Sequence, residues 1–484
     1  MSFLRRDGAP ARLPPGFALA LLSLLMIGLG QNVALAQQAP FFLARDIGTP
    51  DIKLPDTIDP SIASTIPALA DLKQAFLAHG VNFELSYIQD TFGNVSGGVR
   101  QGATYSSVVY MLVDADLGKL AGMEGATFRV NGFQIQGVGL SGQNIHNYAT
   151  VSSIEALPTT RLVELWLEQK LFSDKASIRI GQLAADAEFF TSEYSALYVN
   201  GTFGWESLFA ANLPGSGPGY PLSTPGVRLK LTPDDHLTLL AALFNGDPAG
   251  TGFSGREQIV NNHGVNFRLT DPALLMGEAQ YAYNQDKGSQ GLAGTIKLGA
   301  WYHFGAFNDK HFGYDGLSLA NPLSTGQKRS HQGDEAIYGV IDQMLWRLPG
   351  DDPKKGIAAF VSAAASPSDR NLMDFYAAGG VNFIGVLAPR PADRFGLAAA
   401  FSHMSPSVTA FDRDTAVFSG ESAPARDYEL ALELTYQAVV FPGWTLQPDL
   451  QYIVHPGGGA PDPAHPTSRI PNAAVIGLRA NVTF

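Results

Sequence analysis

The final eleven residues constrain the fold more than any other stretch. From Ala474 onward the even positions are apolar (Ala474, Ile476, Leu478, Ala480, Val482, Phe484), and from 477 to 483 the odd ones are Gly477, Arg479, Asn481 and Thr483. A repeat of two is the side-chain period of a strand, so one face is apolar and the other polar. The apolar face runs to the last residue and closes on an aromatic ring. A strand of a soluble sheet seldom needs its apolar face covered to its very end. A strand with lipid on one side and a wet lumen on the other does.

A second stretch has the same form. Tyr428, Leu430, Leu432, Leu434 and Tyr436 share one face, and Glu429, Ala431, Glu433 and Thr435 the other. Eight residue steps of about 3.3 Å, tilted by about 40°, rise roughly 20 Å. That is near the height of an apolar band between two aromatic girdles. A sandwich strand with one core face explains neither Tyr at both ends nor two carboxylates in mid-strand.

The N-terminus reads as a secretory leader. Arg5, Arg6 and Arg12 precede an apolar run from Phe17 to Leu29, and Ala34-Leu35-Ala36 offers a small-x-small cleavage site before Gln37. The run is short for a spanning helix. Residues 1–36 are therefore set apart from the fold. Removing them makes the formal charge of −12 two units more negative, which argues against nucleic acid as a partner. A membrane protein without spanning helices has to be a closed barrel, the other structure that satisfies its backbone in lipid. Mean hydropathy near zero fits such alternation. Cysteine is absent. That suits passage through an oxidising periplasm and excludes thiolate metal sites and a Cys nucleophile. The reading calls for no metal, cofactor or catalytic residue.

Residues 37–80 read as a periplasmic lead-in, with a short helix over Ile66 to His79 on the spacing of Leu69, Leu72 and Phe76. Residues 81–484 read as the barrel. Strand-like segments fall near 81–89, 105–117, 127–136, 161–171, 176–182, 226–232, 236–244, 263–270, 276–284, 294–304, 336–347, 356–365, 372–383, 394–403, 426–438, 443–454 and 473–484. Tight turns such as Ser173-Asp174-Lys175 alternate with long Gly-rich loops at 137–160, 183–225, 305–335, 404–425 and 455–472. Short periplasmic turns and long outer loops mark an up-and-down antiparallel barrel. Seventeen segments break the even-number rule, so one between about 183 and 304 is miscounted. Sixteen strands are expected, eighteen being allowed, with an aqueous channel inside. The third outer loop, 183–225, is the longest and is expected to fold inward and narrow the lumen.

Alternation assigns faces. Val163, Leu165 and Leu167 face lipid, which turns Glu164, Trp166 and Glu168 inward. By the same rule Arg179, Arg228, Lys230, Lys297, Trp301 and His303 face the lumen. A basic side chain on the lipid side at mid-depth costs about 2–4 kcal/mol, and that cost fixes the register. Charges of both signs with inward Trp suit a neutral polyhydroxylated solute, since carboxylates and guanidinium groups hydrogen-bond hydroxyls. The alternative is that the charges pair with one another and stiffen the wall.

The runs Glu164-Leu165-Trp166-Leu167-Glu168-Gln169 and Ile178-Arg179-Ile180-Gly181-Gln182-Leu183 resemble those of the carbohydrate-selective porins of the OprB type. Asn200-Gly201-Thr202-Phe203-Gly204-Trp205, Phe244-Asn245-Gly246-Asp247-Pro248 and Lys297-Leu298-Gly299-Ala300-Trp301-Tyr302-His303 are similar too, in matching order over about 66–484. The resemblance implies a sixteen-stranded porin of the bacterial outer membrane that passes glucose and related small neutral sugars, as a monomer or a homotrimer. Outer-membrane lipid is then one partner. The barrel-assembly machinery, which reads a terminal aromatic such as Phe484, is another. The rivals are a general diffusion porin without sugar preference, a structural barrel, and a barrel enzyme. The last would need a Ser–His–carboxylate set, and no nucleophile motif stands out.

Overall fold

The computed structural model describes residues 61–250, 257–286, 289–350 and 352–484. The leader at 1–36 and the front of the lead-in lie outside them. Among the described residues no helix is long and apolar enough to cross a membrane, and sixteen antiparallel strands close into one barrel. They are β1 (Val81–Ser96), β2 (Gly102–Asp116), β3 (Ala126–Gly137), β4 (Thr159–Leu171), β5 (Ala176–Leu183), β6 (Thr224–Leu231), β7 (Leu237–Asn245) and β8 (Ala273–Tyr283) in the first half. The second half holds β9 (Gly294–Gly313), β10 (Lys328–Arg347), β11 (Gly356–Ala365), β12 (Met373–Ile384), β13 (Arg394–Met404), β14 (Tyr428–Phe441) and β15 (Trp444–Val454). A small hairpin, β16 (Pro461–Asp462) and β17 (His465–Arg469), sits in the last outer loop before the closing strand β18 (Ala473–Thr483).

The terminal strand does what its pattern asks. On β18, Ile476 and Leu478 are exposed on the outer face, whereas Arg479, Asn481 and Thr483 are buried inside. β18 pairs with β15 on one side and β1 on the other, with Arg479 directly opposite Asp90. Their buried side chains form a two-pronged ion pair at 2.7 and 2.6 Å across the seam. Gly477 is needed beside it, because the ring of Phe92 occupies the space a Cβ would take.

Three expectations change. The segment 263–270 joins no ladder, which removes the odd strand. It lies in the β7–β8 connection, whose length the sequence reading missed. Leu162 N–H donates to His263 O at 3.0 Å and Gln182 Nε2 donates to Gly264 O at 2.8 Å. Val265, Phe267 and Leu269 are exposed, and so are Asn266 and Thr270, so the residue types alternate as in a strand while the exposure does not. Second, 305–335 is not all loop: β9 and β10 run on to Gly313 and from Lys328. Above the bilayer both faces of a strand are wet, so the period-two pattern fades while pairing continues. Third, Val163 does not face lipid. The β3–β4 register shifts at Asn131/Gly132, and Val163 is buried with Ile88, Val108 and Phe133. A bulge puts one extra residue on a strand and resets its alternation. The third outer loop folds into the lumen, as expected.

Candidate functional site: the loop-narrowed lumen

An inward loop carries backbone N–H groups that must find acceptors away from bulk water. Inward carboxylates of the wall supply them. Glu433 on β14 accepts from Val199 N–H at 2.6 Å and Asn200 N–H at 2.9 Å. Asp342 on β10 accepts from Glu193 N–H at 3.0 Å and from the Ser192 hydroxyl. Glu278 on β8 accepts from Phe190 N–H and Tyr338 Oη at 2.8 and 2.9 Å. Between β14 and β10, Asn212 Nδ2 donates to Met373 O of β12 at 2.7 Å. The loop 184–223 is thus tied to every second strand from β8 to β14. Aromatic packing adds to these ties. Phe190 meets Tyr338 at 5.1 Å, Phe203 meets Phe360 at 6.0 Å, and Phe209 meets Trp301 edge-on at 5.8 Å.

The second outer loop, 138–158, is held in the same way. Glu429 accepts from Tyr148 N–H at 3.0 Å and Ala149 N–H at 2.7 Å. Ser152 Oγ donates to Asp90, the partner of Arg479.

All the residues assigned to the lumen by alternation are buried on the inner side of the wall. Glu164, Trp166 and Glu168 lie on β4, Arg179 on β5, Arg228 and Lys230 on β6, and Lys297 and Trp301 on β9. Most of them meet one another. Arg179 and Arg228 stand directly opposite on β5 and β6, a placement that like charges disfavour. Glu168 bridges them at 2.8 and 3.0 Å, and Glu188 of the inward loop adds contacts at 3.5 and 2.9 Å. The two guanidinium groups hold the Glu188 carboxyl below its usual range against the effect of burial. Trp166 lies with Arg179 4.0 Å and Arg129 5.3 Å from its ring centroid, and its Nε1–H donates to Glu164 at 3.1 Å. Arg129 is itself locked to Asp114 at 2.7 Å. Gly181 fits here because its backbone, at φ +146°, passes so close to Trp166 that a Cβ would clash. Lys297 Nζ donates to Thr191 of the loop at 2.8 Å. Trp301 packs in the aromatic cluster around Phe209 rather than offering an open face.

The sequence reading missed Glu278, Asp342 and the loop-anchoring role of Glu429 and Glu433. A signal was present: carboxylates at inward positions in mid-strand, where a bare lumen wall has no need of a fixed acceptor.

Above the packed loop the second, third and fourth outer loops enclose a recess of about 190 Å³, lined by Tyr148, Glu155, Asp186, Thr202, Trp205 and Tyr220 among others. A single water needs only about 10–15 Å³ of such space, so a multi-atom solute fits. Burial pushes the Glu155 and Asp186 carboxyls up to about 7. Glu155 accepts from Ser141 N–H and Oγ, and Asp186 from Tyr220 N–H at 2.7 Å. Fixed acceptors, hydroxyls and an indole in one recess match the chemistry of a solute carrying many hydroxyl groups.

The family model described as carbohydrate-selective porin, OprB family, matches residues 100–484. Porin B of Pseudomonas aeruginosa is 25% identical over 429 residues, covering 84% of this chain and 88% of its own. The putative porin QuiX of Acinetobacter baylyi is 20% identical over 436 residues, covering 85% of this chain and 91% of its own. Among solved structures, the high-pH structure of Pseudomonas putida OprB superposes with a TM-score of 0.75 at 23% identity, over 85% of this chain and 96% of that one. That likeness supports the barrel fold.

Proposed function

The chain belongs to the carbohydrate-selective porin family, OprB, and on that premise we propose that its narrowed lumen passively filters small neutral sugars such as glucose on their way to the periplasm. The protein is a sugar-preferring porin of the bacterial outer membrane. The observation that carries the filter reading is the loop 184–223, pinned inside the barrel by Glu278, Asp342 and Glu433. A pinned loop sets a fixed aperture instead of a floating flap.

In this reading Glu164, Trp166, Glu168, Arg179, Arg228, Lys230, Lys297 and Trp301 stand buried in the wall behind the sugar path. Their ion pairs hold a fixed field of both signs, and their contacts to Glu188 and Thr191 hold the loop. A neutral solute exchanges water for wall hydrogen bonds at little net cost. An ion loses its hydration in a narrow passage and meets one repelling sign. Conduction then needs weak, multi-site contact rather than one tight site. The same reading takes residues 1–36 as a leader removed near Gln37, Phe484 as a signal to the assembly machinery, and the barrel as a channel without catalytic activity.

Liposome swelling tests it. Proteoliposomes should swell faster in glucose than in size-matched charged solutes, and faster in monosaccharides than in disaccharides. Equal rates for neutral and charged solutes of one size would replace the sugar filter with a general diffusion pore.

A further inference from the structure

The helix Pro67–Ala78 ahead of the barrel buries Lys73 and Leu77 against it. Lys73 Nζ donates to the carbonyl of Phe484 at 3.0 Å, which pins the helix to the end where the closing strand terminates. At 100° per residue Leu69, Leu72 and Phe76 fall together on one flank of that buried face, and Asp71 and Gln74 fall on the other. All three apolar side chains are exposed, as is Ile66 just before the helix. The flank continues a surface already assigned to lipid. Phe76 packs edge-on against Phe83 at 5.5 Å. Phe83 lies on the outer face of β1, opposite the exposed Val113 of β2 and two residues from the exposed Leu85. Leu120 and Met123, in the neighbouring β2–β3 turn, are exposed as well.

We propose that this helix lies at the membrane interface, with Leu69, Leu72 and Phe76 among the acyl chains of the periplasmic leaflet. The occupant is lipid because the apolar flank runs without a break into the lipid-facing belt, and the polar flank turns to the periplasm. An interfacial helix of this kind sinks its apolar side about 5–10 Å below the headgroups. Many such helices also bind anionic headgroups through an exposed basic face. Here the one Lys of the helix is buried and the exposed charge is Asp71, so insertion rests on apolar burial and is indifferent to lipid charge and salt.

The chain has no Cys, so single nitroxide labels can be placed without background. Leu69→Cys, Leu72→Cys, Asp71→Cys and Gln74→Cys are labelled in the full chain and reconstituted into phospholipid vesicles. Only barrels that show heat-modifiable migration in SDS gels are measured, and Phe76→Cys supplies a second route to the apolar flank. Labels at 69 and 72 should collide readily with oxygen and be shielded from a water-soluble nickel chelate. Labels at 71 and 74 should show the reverse, with and without anionic lipid. Equal access of the nickel chelate to both flanks would overturn the proposal by placing the helix in water. Shielding of 69 and 72 from both reagents would overturn it in favour of a protein partner.

Discussion

Phe484 separates two effects that a barrel mutation usually mixes. Its side chain sits at the periplasmic edge of the outer face, and its backbone N–H donates to Leu85 O at 2.8 Å. At the membrane interface even a basic side chain on the lipid face costs only about 0–1 kcal/mol, and acidic ones cost less. Phe484→Asp should therefore fold nearly as well as the parent in purified lipid, yet reach the outer membrane of cells at several-fold lower levels. Comparing in vitro folding yield with outer-membrane abundance checks this, and normal abundance would remove Phe484 as an assembly signal. Glu155 and Asp186 give a residue-scale pH effect. Their folded pKa values, about 7, stand above the unfolded values near 4. The folded loops therefore bind more protons, and the stability this contributes is full below about pH 4 and gone above about pH 7. Amide exchange in 138–158 and 184–223, corrected for intrinsic rates, should show weaker protection at pH 8 than at pH 5. The pair Glu155→Gln and Asp186→Asn should flatten that difference. Stronger protection at pH 8 in the parent would contradict the assignment.

At the scale of elements, the inward loop is the part whose anchoring determines the aperture. Glu433→Leu leaves two buried N–H groups without acceptors, at about 1–3 kcal/mol each. Asp342→Leu removes the anchor four strands away on β10. Together they should release the loop without opening the barrel, whose sixteen-strand ladder neither residue's side chain completes. Single-channel conductance should rise, and disaccharide swelling should approach the monosaccharide rate. Unchanged conductance in the double variant would show that aromatic packing around Phe190, Phe203 and Phe209 holds the loop alone. The segment 263–270 teaches a related point. Its alternation of Val265, Phe267 and Leu269 is that of a strand, but its hydrogen bonds to the wall at Leu162 and Gln182 are isolated. Alternation of residue type over a few positions does not by itself supply a partner on each edge.

For the whole molecule, net charge and the paired lumen act on different solutes. The formal charge of −12 biases the approach of ions, while the Glu168–Arg179–Arg228–Glu188 network fixes the field inside. Arg228→Ala removes the contacts to Glu168, Glu188 and Ser177 and leaves the two carboxylates sharing Arg179. The reversal potential in a KCl gradient should shift toward cations, while glucose swelling should change less than two-fold. An unshifted potential would place the network away from the ion path. Breaking a buried ion pair costs about 3–5 kcal/mol. The variant's barrel should therefore be verified by heat-modifiable migration before its current is read.

By itself the sequence determined what lipid dictates. Along Ile178, Arg179 and Ile180, or Val227 through Leu231, each residue's side of the wall follows from its neighbours, because a misplaced charge in hydrocarbon costs kilocalories within a single strand. The barrel class, the short-and-long rhythm of connections and the inward charges were legible for that reason. The tertiary structure decided everything that depends on residues far apart in the chain. Glu433 and Val199 lie 234 positions apart, and no local pattern shows that a mid-strand carboxylate exists to receive a loop's N–H groups. The bulge that turns Val163 inward, the pairing that makes Arg179 and Arg228 tolerable neighbours, and the packing of Trp301 against Phe209 are of the same kind. Each is settled by which groups the closed barrel brings within hydrogen-bond or van der Waals reach. Closure is a property of all sixteen strands at once.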